Sequence, residues 1–250
     1  MHFALDRFEV TVGRFRAFVA ASMGTQANPP SSGDGAHPLI AGSGWKSDWN
    51  ASLPADTTAL SSVLKCHATN QTWTDTAGAN ETLPINCVDW YEAFAFCAWD
   101  EGRLPTEAEW NRAAAGGEEQ RYYPWSAPYP PGSTTIDPTF AAYECTGDGS
   151  AEDNCAFTDI LTVGARSPKG DGRWGQADLS GNMYEWNLDV YDLSHLNPCD
   201  NCANLTSATT RVKRGGNYDS STSSVRVAVR NDDTPSVPDD DIGLRCARTP

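Results

Sequence analysis

Eight cysteines spread over 250 residues set the first limit on this chain. An even number points to a disulfide framework formed in an oxidising compartment, although spacing alone leaves roughly a hundred connectivities open. The rest of the sequence suits a stapled, loop-rich architecture. Its 21 Gly and 16 Pro predict many turns, while 9 Trp, 8 Tyr and 8 Phe supply core material. No apolar run approaches the eighteen or so residues of a membrane span. The formal net charge of −15 argues against nucleic acid as a partner, because phosphate binding needs clustered Lys and Arg. Cys199-Asp200-Asn201-Cys202 is a CxxC without a second CxxC to complete a zinc site, and His2, His37, His67 and His195 show no ligand spacing. Residues 1–6 lack the basic and apolar regions of a signal peptide, so the leader expected of a secreted or cell-envelope protein is not present in this chain.

Helix signals are clearest in the first half. Thr11 is an N-cap candidate for a helix with Phe15, Phe18 and Val19 on one face, following a strand over Leu5–Val10. Residues 24–62 read as one long loop pinned by Trp45 and Trp49. Asp89 with Glu92 three positions on is a capping box that starts a helix over Trp90–Glu101, with Phe94, Cys97 and Ala98 inward and Gly102 past its end. Thr106 with Glu109 repeats the arrangement for a helix ending at Gly116-Gly117. Residues 118–177 hold no helix, with a short strand at Leu161–Val163, and 187–209 read as irregular. Strands are expected at Arg211–Arg214, Ser224–Arg230 and Ile242–Ala247. The sum is an irregular α+β fold of two or three helices, short antiparallel strands and much ordered loop.

Between these elements lies Asp178-Leu179-Ser180-Gly181-Asn182-Met183-Tyr184-Glu185-Trp186. Ser180-Gly181-Asn182 is turn chemistry, since Gly and Asn tolerate positive φ. A loop bent there can bring the Asp178 and Glu185 carboxylates together, and hard oxygen donors of that kind are what Ca²⁺ takes. The spacing is not that of an EF-hand. On spacing alone, a loop with solvated acids and Tyr184 and Trp186 in the core serves as well.

Five motifs in order carry a resemblance: Phe8-Glu9-Val10-Thr11, Arg103-Leu104-Pro105-Thr106-Glu107-Ala108-Glu109-Trp110, Gly181-Asn182-Met183-Tyr184-Glu185-Trp186, Arg214-Gly215-Gly216 and Gly243-Leu244-Arg245-Cys246. Together they resemble the formylglycine-generating enzyme family, the sulfatase-modifying factors, from about Leu5 to Ala247. The resemblance implies one domain of C-type-lectin-like kind, low in regular structure and built on a twisted antiparallel sheet. It implies structural calcium held by side-chain oxygens of Asp178 and Glu185 and by main-chain carbonyls of Gly181 and Met183. The family's second calcium loop lacks its usual Asn, because Phe140-Ala141 is followed by Ala142, and Tyr143, Glu144 and Asp159 are the residues that could compensate. The family also joins the cysteines matching Cys97 and Cys246. With that pair set aside, elimination and proximity give Cys66–Cys87, Cys145–Cys155 and Cys199–Cys202.

The family's enzymes oxidise a substrate cysteine at a Cu(I) site made by two cysteines just after the Arg-Gly-Gly strand, and copper(I) needs soft thiolates. This chain reads Asn217-Tyr218-Asp219-Ser220-Ser221-Thr222-Ser223-Ser224 there, with no cysteine between Cys202 and Cys246. No copper is expected. What remains is a groove with Tyr184, Arg214, Asn217, Tyr218, Asp219, Ser220, Arg226 and Arg230 as candidate ligand-binding residues. Arg226 and Arg230 are expected on one strand face, paired with the acids at 232–233 and 239–241. The expected function is therefore a secreted calcium-binding recognition module for a peptide, protein or small-molecule ligand. The alternative is a divergent oxidoreductase of the same family acting on a peptide or small molecule.

Overall fold

Helix starts in this chain are fixed by side-chain caps, reciprocal in two of them. The computed structural model describes residues 3–249 apart from 131–132, 151–154, 195, 197 and 207–208, so His2 and His195 lie outside the described residues. Helix α1 (Val12–Ala20) begins where the Thr11 hydroxyl accepts from the Arg14 amide at 3.2 Å. Helix α2 (Thr57–Val63) is capped by Asp56. In α3 (Trp90–Trp99) the Asp89 carboxylate accepts from the Glu92 amide at 2.8 Å while Glu92 accepts from the Asp89 amide at 3.0 Å. Thr106 and Glu109 make the same exchange at the start of α4 (Glu107–Ala114). Each such cap satisfies otherwise orphaned helix amides and is worth about 1 kcal/mol.

Two short sheets are laid against these helices. Strands β2 (Tyr184–Val190), β3 (Arg211–Arg214), β4 (Asn231–Asp233) and β5 (Ile242–Gly243) form one in the order β4-β3-β2-β5. The β2–β3 and β3–β4 pairs are antiparallel and β2–β5 is parallel. Strand β1 (Ala4–Leu5) pairs antiparallel with β6 (Ala247–Arg248), Ala4 opposite Arg248. All seven residues of β2 are buried. One face of β2 meets α3, where Trp90, Phe94 and Phe96 join Phe15, Phe18, Trp45, Trp186 and Leu244 in the largest apolar cluster. Such side chains contribute about 1.5–3 kcal/mol each by burial. The indole N–H groups tie the layers: Trp90 donates to the Asn187 carbonyl at 2.8 Å and Trp186 to that of Val88 at 3.0 Å.

All eight cysteines are bonded, as Cys66–Cys87, Cys97–Cys246, Cys145–Cys155 and Cys199–Cys202. The pairing matches the expected one, and the α+β class with few helices and short strands is as expected.

Several elements differ from the sequence reading. The strand over Leu5–Val10 shrinks to β1, because beyond it the chain is held by single bonds such as Val10 N to Leu244 O at 2.8 Å. The stretch 24–62 contains α2, whose Thr- and Ser-rich sequence gives little periodicity. Strand β2 continues to Val190, inside the stretch read as irregular. Leu161–Val163 is not a strand, since the Leu161 amide is taken by the Asn182 side chain at 2.9 Å. Ser224–Arg230 forms consecutive turns, closed by Val225 N to Ser221 O and Val229 N to Arg226 O. The buried Arg214 guanidinium takes the Val227 and Val229 carbonyls, which a ladder would otherwise have used.

Candidate functional site

The Asp178 loop is bent by backbone that few residues could supply. Gly181 has φ of 80°, and a Cβ there would lie 2.0 Å from the Ala142 carbonyl oxygen. Asn182 follows at φ 64°. Its side chain donates to Glu9 Oε2 at 2.6 Å, and the Met183 amide donates to Glu9 Oε1 at 3.1 Å. Asp178 turns back to accept from the Gly164 amide at 2.6 Å. Glu185, the second residue of the buried strand β2, receives the Arg245 guanidinium in bidentate fashion at 2.6 and 2.7 Å and the Trp110 indole at 2.8 Å. The motifs singled out in the sequence thus converge: Glu9, Trp110, Asn182, Glu185 and Arg245 make one buried cluster.

Three carboxylates, Glu9, Asp178 and Glu185, face one guanidinium here. Burial pushes the Glu9 carboxyl well above its usual range, and the charges of Asp178 and Glu185 add to that. Burial likewise raises Asp178 to about 6, against the hydrogen bond from Gly164 and the charge of Arg245. The carbonyl oxygens of Gly181 and Met183 receive no hydrogen bond among the described residues. Glu185 keeps one of its roughly four lone-pair sites. Glu9 was visible in the sequence only as part of a motif. Its signal was an acid set between Phe8 and Val10 ahead of α1; a carboxylate buried there needs a partner.

Below this cluster the Arg214-Gly215-Gly216 bend opens onto the groove. Gly215 and Gly216 take φ of 99° and 75° in succession, and this double left-handed step sends residues 217–220 past the end of β2. Asn217, Tyr218 and Asp219 line a cavity of about 490 Å³ together with His67, Asn70 and Asp239–Asp241. Tyr218 donates to Asp240 at 3.0 Å and accepts from Asn70 at 3.2 Å. Burial and the Asp240 charge raise the Tyr218 phenol, so it remains a donor. Asp240 itself is held below the usual carboxylate range by hydrogen bonds from Asn70, Asp239 and Tyr218, although burial works the other way. Burial raises Asp241 to about 7; Lys213 opposes this from 3.9 Å. Among the described residues, the only sulfurs on the cavity wall belong to the Cys145–Cys155 disulfide, with Cys155 Sγ 3.3 Å from Asp219.

The remaining candidate ligand residues are not gathered in this cavity. Tyr184 and Ser220 stand just behind it, 3.4 Å apart, and the Tyr184 hydroxyl also accepts from Asn231 at 2.9 Å. Arg214 and Arg226 line a separate concavity of about 310 Å³ beside Tyr122. Arg230 lies in another, bound to Glu107 at 2.5 and 2.7 Å. Arg226 and Arg230 therefore share no strand face and do not pair with the acids at 232–233 and 239–241: the turns at 221–229 point them to α4 and Tyr122 instead. Among the described residues Lys213 pairs with those acids, 2.9 Å from Asp233 and 3.9 Å from Asp241, and His67 lies 3.7 Å from Asp240.

Comparison with known proteins agrees with this geometry. Residues 1–250 match the family described as sulfatase-modifying factor enzyme 1-like domain. The chain is 34% identical over 178 residues to "Inactive C-alpha-formylglycine-generating enzyme 2" of Bos taurus, covering 68% of this chain and 52% of that protein. It is 27% identical over 276 aligned positions to the "Formylglycine-generating enzyme" of Thermomonospora curvata, covering 99% of this chain and 82% of the relative. The chain thus spans about half the length of the bovine relative it matches. Among solved structures, PvdO from Pseudomonas aeruginosa superposes with a TM-score of 0.62 at 22% identity, covering 99% of this chain and 80% of that one. At that identity the likeness shows the fold. From the family match over its whole length and the assembly of its motif residues at one buried site, this chain belongs to the sulfatase-modifying factor enzyme 1-like domain family.

Proposed function

We propose that this domain is a recognition module that takes a cationic ligand, an amine or a Lys- or Arg-bearing peptide, in the cavity beneath the Arg-Gly-Gly bend. The observation that carries the reading is the cavity wall. Asp219, Asp239, Asp240 and Asp241 face it where a copper oxidase would need thiolates, and its two sulfurs are bonded to each other. Serine hydroxyls at 220, 221, 223 and 224 offer hard, protonated oxygens that copper(I) does not favour. Carboxylates on a polar, rigid wall attract cations and align their N–H donors. Relatives with both active and inactive names leave room for either chemistry, so the reading rests on the wall itself.

Calcium belongs to the same proposal as a structural ion rather than a reactant. Asp178, Gly181, Met183 and Glu185 would hold it; two buried carbonyls without hydrogen bonds and an excess of carboxylate over guanidinium support the fit. Bound there, it would neutralise buried charge and fix the loop that precedes the groove. The four disulfides point to an oxidising compartment; we place the domain outside the cell or in its envelope.

Calorimetric titration with a short Lys-rich peptide and an acidic peptide of equal length tests the ligand class. Binding of the basic peptide, weakened by salt and by Asp219→Asn with Asp240→Asn, is expected. Equal or no binding of both peptides, together with stoichiometric copper in the dialysed protein, would turn the assignment to the oxidoreductase reading.

A further inference from the structure

The CxxC is a motif that neither the buried cluster nor the acidic cavity uses. Cys199 and Cys202 are bonded across a sequence separation of 3, with Cys199 exposed and Cys202 half-buried. Cys97 and Cys246, by contrast, are fully buried and separated by 149 positions. A cross-link restricts the unfolded chain less as the loop it closes shortens, so the CxxC bond costs least to open. Neither of its sulfurs belongs to an apolar core cluster.

The surroundings of this disulfide suit an incoming chain. Cys199 forms a ridge between two concavities of about 330 and 370 Å³, and Ala108 and Arg112 of α4 line both. Cys202 faces the first only. Leu196 on that same wall is 45% exposed and Leu193, earlier on the same loop, is 88% exposed, among the most exposed large apolar side chains described.

Charges of both signs face the sulfurs, and one of the cations is unpaired. In the first concavity these are Arg112, Arg230, Glu107, Glu118 and Asp189; across the ridge they are His37, Glu109 and Asp200. Glu107 is neutralised by Arg230 and Glu109 by Arg103. Burial raises the Asp189 carboxyl to about 7, which weakens its charge at neutral pH. Arg112, Glu118 and Asp200 have no ion-pair partner among the described residues; of these Arg112 alone lines both concavities, and a cation beside a cysteine lowers its pKa whereas the two acids oppose it.

We propose that Cys199–Cys202 is a thiol–disulfide exchange centre acting on apolar, cysteine-bearing segments of other proteins. A substrate thiolate attacks the exposed Cys199 Sγ; the Cys199–Cys202 bond breaks and Cys202 leaves with the electron pair as a thiolate facing Arg112. A second substrate thiolate then attacks the substrate sulfur of the mixed disulfide and releases Cys199. The substrate dithiol loses two electrons and two protons, and Cys199 and Cys202 gain them as a dithiol. A low-molecular-weight disulfide reverses the change, being reduced to two thiols. The site is independent of the acidic cavity and of calcium.

The test uses the full chain and a synthetic peptide carrying two cysteines flanked by leucines. Peptide oxidation coupled one-to-one to alkylatable Cys199 and Cys202 is expected, at least tenfold faster than with Cys199→Ala/Cys202→Ala. In wild-type protein reduced only at this pair, alkylation against pH should show a thiol ionising below the ordinary value of about 8.5. Arg112→Glu should move that ionisation up by about one pH unit. A loop staple without exchange activity is the conclusion if glutathione reduces the pair no faster than it reduces the buried Cys97–Cys246 bond, if peptide oxidation is unchanged by the double variant, or if the thiol titrates at or above the ordinary value regardless of Arg112.

Discussion

Arg245 and Glu185 are both fully buried and meet through two hydrogen bonds of 2.6 and 2.7 Å. The pair joins the segment that follows β5 to the start of β2, and Arg245 also donates to the Ala177 carbonyl at 2.9 Å. Removing one member of a buried pair strands the other charge in a medium that cannot solvate it. Arg245→Met should therefore destabilise the domain by about 3–5 kcal/mol, read as a lowered urea midpoint. A loss below about 1 kcal/mol would show that Glu185 finds another partner or takes up a proton at little cost.

The same pairing decides which variant reports on calcium. Glu185→Ala removes a salt bridge whether or not the ion is present. Asp178 makes one hydrogen bond, to Gly164, and its loss leaves the Arg245 pair intact. Calcium is expected to raise the melting temperature of the wild-type protein and to do so far less in Asp178→Ala, so that a chelator lowers the wild-type value and leaves the variant's nearly unchanged. An undiminished calcium response in the variant would remove Asp178 from the ligand set.

Stability should fall as pH rises from about 5 to 8. Burial raises Asp89, Asp189 and Asp241 to about 7 from 3.8. In this window the folded chain holds protons that the unfolded chain has lost, so each group favours folding below about pH 4 and loses that contribution as pH passes 7. Asp241→Asn should flatten the profile. Its Oδ1 has no hydrogen-bond partner, while its Oδ2 accepts from Asn217 at 2.8 Å, so an amide can keep the acceptor and leave the charge out. A gain on the order of 1–2 kcal/mol at pH 8 relative to pH 5 is expected in two denaturant titrations. An unchanged slope would mean that Lys213 keeps Asp241 ionised throughout.

Cys97→Ala with Cys246→Ala should cost about 4–5 kcal/mol in the chain-entropy account, because the bond closes a loop of 149 positions. Both sulfurs are fully buried, so cavity terms add to the loss. Thermal unfolding of the double variant checks this; a melting temperature within a few degrees of wild type would refute it.

What could be read from the sequence was what local chemistry dictates. Asp89 with Glu92, and Thr106 with Glu109, place two helix starts because a capping box needs only four consecutive residues. Gly181-Asn182 announced a turn for the same reason. The missed features depend on distant partners. Ser224–Arg230 alternates like a strand, yet Arg214 takes its carbonyls and Tyr122 and Glu107 take its arginines. Thr57–Val63 has too few apolar positions for a period, and packing of Leu60 makes the helix. Glu9 became part of the site only when a loop 173 positions later came to meet it.

The pairing of Ala4 with Arg248 has a consequence for the order of events during synthesis. Strand β1 emerges before the other elements of the domain and finds its partner only after residue 248 has emerged. The Cys97–Cys246 bond and the Glu185–Arg245 pair wait for the same few residues. Until then the buried faces of α3 and β2 lack their last cover, and contacts so far apart in sequence close slowly. The nascent domain thus passes through a period in which most of its residues have emerged and its closing contacts cannot form, a window in which a chaperone or a disulfide-forming catalyst has most to act upon.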